Sequence, residues 1–185
     1  MPTDGLGGNL RFEADLERAV ANADAVQENG PERLDVKQDL FSRIERAAPA
    51  DALLLSSTSG IRATDIAEAL GQPGRLVIGH PFNPPHLVPL VEVVGGEQTG
   101  LEAVQRAVDF YTALGKKPRV LRKEVPGFVA NRLQSALFRE AINLVVQGVV
   151  TEEGGGVGLN CLIDRQCPRT APRRCTRCPS DPRRG

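Results

Sequence analysis

Histidine is scarce in this chain: 185 residues contain two, His80 and His86. Cysteine is missing from the first 160 residues, and all four copies (Cys161, Cys167, Cys175 and Cys178) follow that point. No sign of charge dominates, because 23 Lys and Arg balance 23 Asp and Glu. That balance gives no reason to expect a nucleic acid or another polyanion as partner. No apolar run approaches the ~18 residues that span a membrane, so no membrane partner is expected. The opening Met1-Pro2-Thr3-Asp4-Gly5 lacks a charged-then-apolar leader, and a cytoplasmic setting is the default expectation.

What remains is 41% hydrophobic and long enough for one domain with part of a second. One stretch organises it. Leu76-Val77-Ile78-Gly79 reads as a strand that delivers His80; Pro81 to Pro85 reads as a rigid bend. Leu90-Val91-Glu92-Val93-Val94 then returns as a strand with one carboxylate among valines. Such a carboxylate is costly to bury without a partner, and by chain logic the nearest candidate is His80. A carboxylate that orients an imidazole makes a general acid or base working near neutral pH. Other readings of the same residues stay open: a loop histidine with a Glu on the solvent face of an alternating strand, or a metal site that also uses His86. The intervening prolines keep these residues off one helical face, unlike a zinc-protease motif.

The rest of the chain supplies a frame. Apolar spacing predicts a short helix over 13–23, at most a short strand before Gly30-Pro31, and a helix over 36–48 capped by Asp35. Ala52-Leu53-Leu54-Leu55-Ser56 has the continuous apolar character of a strand buried on both faces. It ends in the hydroxyl cluster Ser56-Ser57-Thr58-Ser59. Thr64 is expected to cap a helix that Gly71 stops, and Thr99-Gly100-Leu101-Glu102 reads as a capping box for a helix reaching Leu114. Pro118 marks 118–122 as an edge strand, and Pro126-Gly127 opens a long helix over 128–146 with Asn131-Arg132 in its first turns. Strand, helix, strand at this spacing implies a βαβ unit and a parallel sheet, in which ligands gather at the carboxyl ends of strands. Ser59 and His80 both fall just past such ends.

Composition breaks near residue 153. Residues 151–185 hold seven arginines and four prolines against four acids, and no large aliphatic residue follows Ile163. Disorder is the expectation for 154–185; Cys175-Thr176-Arg177-Cys178 alone has metal-ligand spacing, and no histidine lies near it.

Five ordered motifs resemble the L-3-hydroxyacyl-CoA dehydrogenase family, in its branch with lambda-crystallin (L-gulonate 3-dehydrogenase) and carnitine 3-dehydrogenase. They are Gln27-Glu28 with Pro31-Glu32 and Lys37; Ser56-Ser57-Thr58-Ser59; Gly79-His80-Pro81-Phe82-Asn83-Pro84; Leu90-Val91-Glu92-Val93-Val94; and Pro126-Gly127-Phe128-Val129-Ala130-Asn131-Arg132. The resemblance implies an α/β fold: the C-terminal half of a Rossmann-like nucleotide-binding domain over 1–123, then the first long helix of an all-α domain over 124–153. It implies NAD as cofactor and oxidation of a secondary 3-hydroxyl to a ketone, with a 3-hydroxyacyl-CoA or a 3-hydroxy acid such as gulonate or carnitine as small-molecule substrate. Its family members are expected to be homodimers.

By resemblance, His80 is the catalytic base and Glu92 orients it, Ser59 contacts substrate, and Asn131 helps hold the substrate oxygen. Glu32 and Lys37 lie near the nicotinamide ribose. Ser57 stands on the cofactor side, where the typical dehydrogenase has asparagine, and that departure favours the gulonate and carnitine branch. The family's opening G-x-G-x-x-G turn has no match here, since Gly5-Leu6-Gly7-Gly8 follows no strand. From this the chain is expected to be a fragment at both ends with a frame-shifted tail, and to be an inactive remnant by itself.

Overall fold

The computed structural model describes residues 10–151. The tail with its cysteines, and the glycines near residue 5, lie outside the described residues. The chain divides into two units, 1–136 and 137–185.

Unit one is an α/β layer structure. In chain order it runs α1 (Leu16–Val20), β1 (Ala25–Glu28), α2 (Leu34–Ala47), β2 (Leu53–Ser56) and α3 (Ala63–Ala67). A 3-10 turn (Pro73–Arg75) leads into β3 (Leu76–Pro81), then β4 (Leu90–Gly95), α4 (Leu101–Ala113), β5 (Lys117–Val120) and the start of α5 (Ala130–Val146). The five strands pair in sequence order. β1, β2 and β3 are parallel, β4 returns antiparallel to β3, and β5 runs parallel to β4 at the edge. Pro118 thus sits on an outer strand, where its missing N–H costs no ladder bond.

Alternation along the strands sorts the sheet into two faces. Leu54, Leu76, Ile78 and Val94 pack under Phe41 and Ile44 of α2 and Ile66 of α3. Leu53, Leu55, Val77, Val91 and Val93 pack under Ala103, Ala107 and Tyr111 of α4. Full burial of a side chain such as Phe41 contributes about 1.5–3 kcal/mol.

Three expected helix starts move. The N-cap of α2 is Arg33, and Asp35 instead accepts from the Arg33 guanidinium at 2.5 Å. Arg33 itself makes no side-chain cap bond. The N-cap of α3 is Arg62, because the Thr64 hydroxyl binds the Glu124 carboxylate and accepts from the Glu97 N–H. The N-cap of α4 is Gly100, because the Thr99 hydroxyl is taken by the Gly96 N–H and the Leu76 carbonyl, both at 2.8 Å. In the last two cases a tertiary partner outbids the local cap. The buried residues of α2 are Lys37, Phe41 and Ile44, so a lysine shares the face that meets the sheet.

Tyr111 reaches across the α4-side face. Its hydroxyl donates to Gln27 Oε1 of β1 at 2.5 Å. Burial raises this phenol above its ordinary range, so it stays a donor at neutral pH. The hydroxyl passes over Gly79, where an added Cβ would lie 1.9 Å from the oxygen. Gly79→Ala should therefore destabilise the chain by about 1–3 kcal/mol through overpacking, read as a fall in the denaturation midpoint. An unchanged midpoint would mean that Tyr111 leaves its seat freely.

In the second unit, residues 137–146 complete α5, and Gly148 (φ +70°) closes it with its N–H on the Val145 carbonyl. Leu137, Phe138, Ile142 and Val146 are exposed. Among the described residues no helix is long and apolar enough to cross a membrane.

Candidate active site

β3 extends two residues further than its apolar run suggests, so His80 lies inside the ladder, directly opposite Glu92 of β4. Antiparallel pairing puts both side chains on one face within contact distance. His80 Nδ1 and Glu92 Oε2 are 2.9 Å apart, with both side chains buried. An ionised carboxylate can only accept, so Nδ1 carries the shared proton and Nε2 keeps its lone pair.

The other Glu92 oxygen, Oε1, accepts the backbone N–H groups of Val129 and Ala130, each at 3.1 Å. A left-handed pair, Gly127 (φ +74°) and Phe128 (φ +51°), aims these amides at the carboxylate. Left-handed backbone at a bulky Phe costs about 1–3 kcal/mol and needs surrounding structure to hold it. The Phe128 ring is fully buried and lies 5.3 Å from the imidazole, with the Phe82 ring at 5.0 Å. Phe128 therefore belongs to this turn, not to α5, which begins two residues later than its apolar spacing suggests.

Asn131, next along, donates from Nδ2 to the Ser59 carbonyl at 2.7 Å. Residues 129–131 thus touch both Glu92, the partner of His80, and the Ser59 carbonyl. Ser59 rides on the loop after β2, which Glu32 organises. Glu32 Oε1 accepts from the Thr58 hydroxyl at 2.6 Å and from the N–H groups of Ser59 and Gly60 at 2.9 and 3.0 Å. Ser57 donates its N–H to the Glu28 carbonyl. His86 lies on the exposed bend between β3 and β4.

Lys37 is fully buried. Its ammonium donates to both oxygens of Glu28 at 2.9 Å and lies 3.8 Å from Glu32 Oε2. Glu28 also accepts from the Ser56 hydroxyl at 2.6 Å and from the Gly30 N–H. Sequence reasoning gave Glu28 a place in a motif but no role. The available signal was a lone acid ending a strand, nine residues before a lysine on the buried face of a helix.

The chain is similar to known proteins. Residues 3–125 match the model of the 3-hydroxyacyl-CoA dehydrogenase NAD binding domain. L-carnitine dehydrogenase of Pseudomonas putida is 54% identical over 142 residues, which are 77% of this chain and 44% of that protein. The chain therefore spans less than half the length of this relative. Among solved structures, 5-formyl-3-hydroxy-2-methylpyridine 4-carboxylic acid 5-dehydrogenase, an NAD+ dependent dismutase, superposes with a TM-score of 0.80 at 38% identity, over 89% of this chain and 53% of that one. The 3-hydroxybutyryl-CoA dehydrogenase of Escherichia coli does so with a TM-score of 0.72 at 35% identity, over 76% and 29%. The fold is thus the Rossmann-like one of NAD-dependent dehydrogenases, and the chain belongs to the family of the 3-hydroxyacyl-CoA dehydrogenase NAD binding domain.

Proposed function

We propose that this chain carries the proton-transfer site of an NAD-dependent dehydrogenase that oxidises a secondary 3-hydroxyl to a ketone, with a carnitine-like 3-hydroxy acid as substrate. The observation that carries this reading is the buried His80–Glu92 pair, fixed by two backbone amides. His80 Nε2 takes the hydroxyl proton. Glu92 holds the imidazole in the tautomer that can accept it and stabilises the cation that results. Asn131 spends one N–H on Ser59, which leaves its other N–H and the Ser59 hydroxyl to hold the substrate oxygen. Phe82 and Phe128 keep water from the imidazole.

NAD, when bound, accepts the hydride. The donor set here fits its ribose end: Glu32 spends Oε1 on the loop, while its half-exposed side chain keeps Oε2 as an acceptor for a sugar hydroxyl. Glu32 and Ser57 make up that side of the site, with the buried Lys37 behind Glu32. The helix from residue 130 is read as the first of a substrate-binding domain through which the relatives' full-length counterpart dimerises, in a cytoplasmic setting.

Identity of 54% to L-carnitine dehydrogenase favours a small quaternary-ammonium hydroxy acid. The likeness to 3-hydroxybutyryl-CoA dehydrogenase keeps an acyl-CoA as the second reading. The test places residues 10–151 in the matching segment of the Pseudomonas putida relative and follows NADH formation at 340 nm. L-Carnitine should exceed L-gulonate and 3-hydroxybutyryl-CoA in kcat/KM by about 10², the usual reach of pocket discrimination. Preference for the acyl-CoA would move the substrate to the second reading, and no NADH from any of the three would overturn the dehydrogenase reading.

A further inference from the structure

Lys37 has no exposed side-chain surface, yet it lies beside the loop that carries Ser59. Its charge is enclosed by two carboxylates. Glu28 grips it with both oxygens, and Glu32 faces it at longer range. Glu28 is itself buried and ties three segments together: the end of β1, Gly30 beyond it, and Ser56 at the end of β2. The fit around it is close, since a Cβ added at Gly30 would lie 2.8 Å from Glu28 Oε1. Ser56 Oγ in turn accepts from the Thr58 N–H at 3.3 Å.

A buried ion pair of this kind is weak evidence for a stabilising role. Its desolvation cost is comparable to the attraction, and an apolar pair of similar shape often serves stability as well. What an apolar pair cannot supply is a cation facing Glu32. Without it, Glu28 and Glu32 would stand as two carboxylates with no positive charge between them. Glu32 is the group on which the Thr58 hydroxyl and the Ser59 and Gly60 amides converge.

We infer that Glu28 is a positioning residue: it holds the Lys37 ammonium toward Glu32, and Glu32 then holds the Thr58–Gly60 loop that presents Ser59. Lys37 acts through Glu32 and does not itself touch the cofactor. The inference rests on the dehydrogenase reading only for what Glu32 and Ser59 contact; the arrangement of the loop is independent of it.

The test uses the chain of residues 1–185 and amide hydrogen exchange. Single substitutions at either partner would leave a buried charge with only its weaker partners and destabilise the chain, so the informative variant is the charge-neutral E28Q/K37M. Its denaturation midpoint should stay near that of the unaltered chain. The Ser59 and Gly60 amides should exchange about tenfold faster, while those of Val93 and Val94 in β4 keep their protection. A purely structural pair would change all four together or none. In an E32A background, adding E28Q/K37M should change the Ser59 and Gly60 rates no further, because one path carries both effects. Unchanged loop exchange in E28Q/K37M, or full additivity with E32A, would overturn the inference. Neither result bears on turnover, so failure of the dehydrogenase reading in the NADH assay is distinguishable from failure here.

Discussion

Replacing His80 with alanine in the chimera should lower turnover by about 10²–10⁴, the usual contribution of a positioned general base. The argument is geometric. The imidazole is buried in the β3–β4 ladder, its Nδ1 is committed to Glu92, and Phe82 and Phe128 flank the ring. The one other proton acceptor on that stretch is Glu92, whose oxygens are engaged by His80 and by the Val129 and Ala130 amides; Ile78 and Val94 are the remaining neighbours on the same face. The loss should fall on kcat with KM for NAD nearly unchanged, because the proposed cofactor contacts are Glu32 and Ser57, not His80. Turnover within threefold of the unaltered chimera would remove His80 from the reaction.

Two substitutions at Glu92 should separate orientation from architecture. Glu92→Ala leaves one buried donor, His80 Nδ1–H, and two part-buried ones, the amides of Val129 and Ala130, without their acceptor. A buried donor left unpaired costs about 1–3 kcal/mol, so this variant should lose about 1–3 kcal/mol or more in a denaturant titration and free the first turn of α5. Glu92→Gln has the same shape. Its oxygen must still face the two amides, which turns its NH₂ toward His80. Nδ1 then has to accept, the ring proton moves to Nε2, and no lone pair remains for the substrate hydroxyl. This variant should keep most of the stability and still lose about 10⁴ in kcat, the size of effect a wrong tautomer has in a comparable triad. Equal damage from Gln and Ala would show that the carboxylate matters only as a brace, and normal turnover in Gln would dismiss the tautomer argument.

The sheet was legible because its strands are short apolar runs between breakers, and the parallel arrangement followed from strand-helix-strand spacing. His80 and Glu92 could be matched from the same stretch, since a single bend separates their strands. The helix caps at Arg33, Arg62 and Gly100 were not legible. In two of these places a hydroxyl that suits a cap locally is engaged by a residue distant in sequence: Glu124 takes Thr64, and the Leu76 carbonyl takes Thr99. Local propensity has no access to such partners. The burial of Lys37 was not legible for a related reason. Apolar periodicity assigns a buried stripe by discounting charge, and the carboxylate that makes a buried ammonium tolerable sits on a different element. The turn at Gly127-Phe128 was visible as Pro-Gly, but its left-handed Phe and its hold on Glu92 depend on three segments meeting.

Cross-strand pairing of His80 with Glu92 divides the region by its tolerance of insertion and deletion. One residue added or lost within β3 or β4 slips the register and sends every following side chain to the opposite face. The imidazole and its carboxylate would then no longer share a face, even if the sheet survived. The bend of residues 82–89 lies outside the ladder, with Asn83 through Leu87 exposed. Its contacts with α4's end are through Lys116, which binds the Pro85 and Val88 carbonyls. Length changes there spend those contacts and leave the pair intact. Among proteins sharing this site, gaps should therefore cluster in the bend, and the distance along the chain between the histidine and the glutamate is free to drift while their register is not.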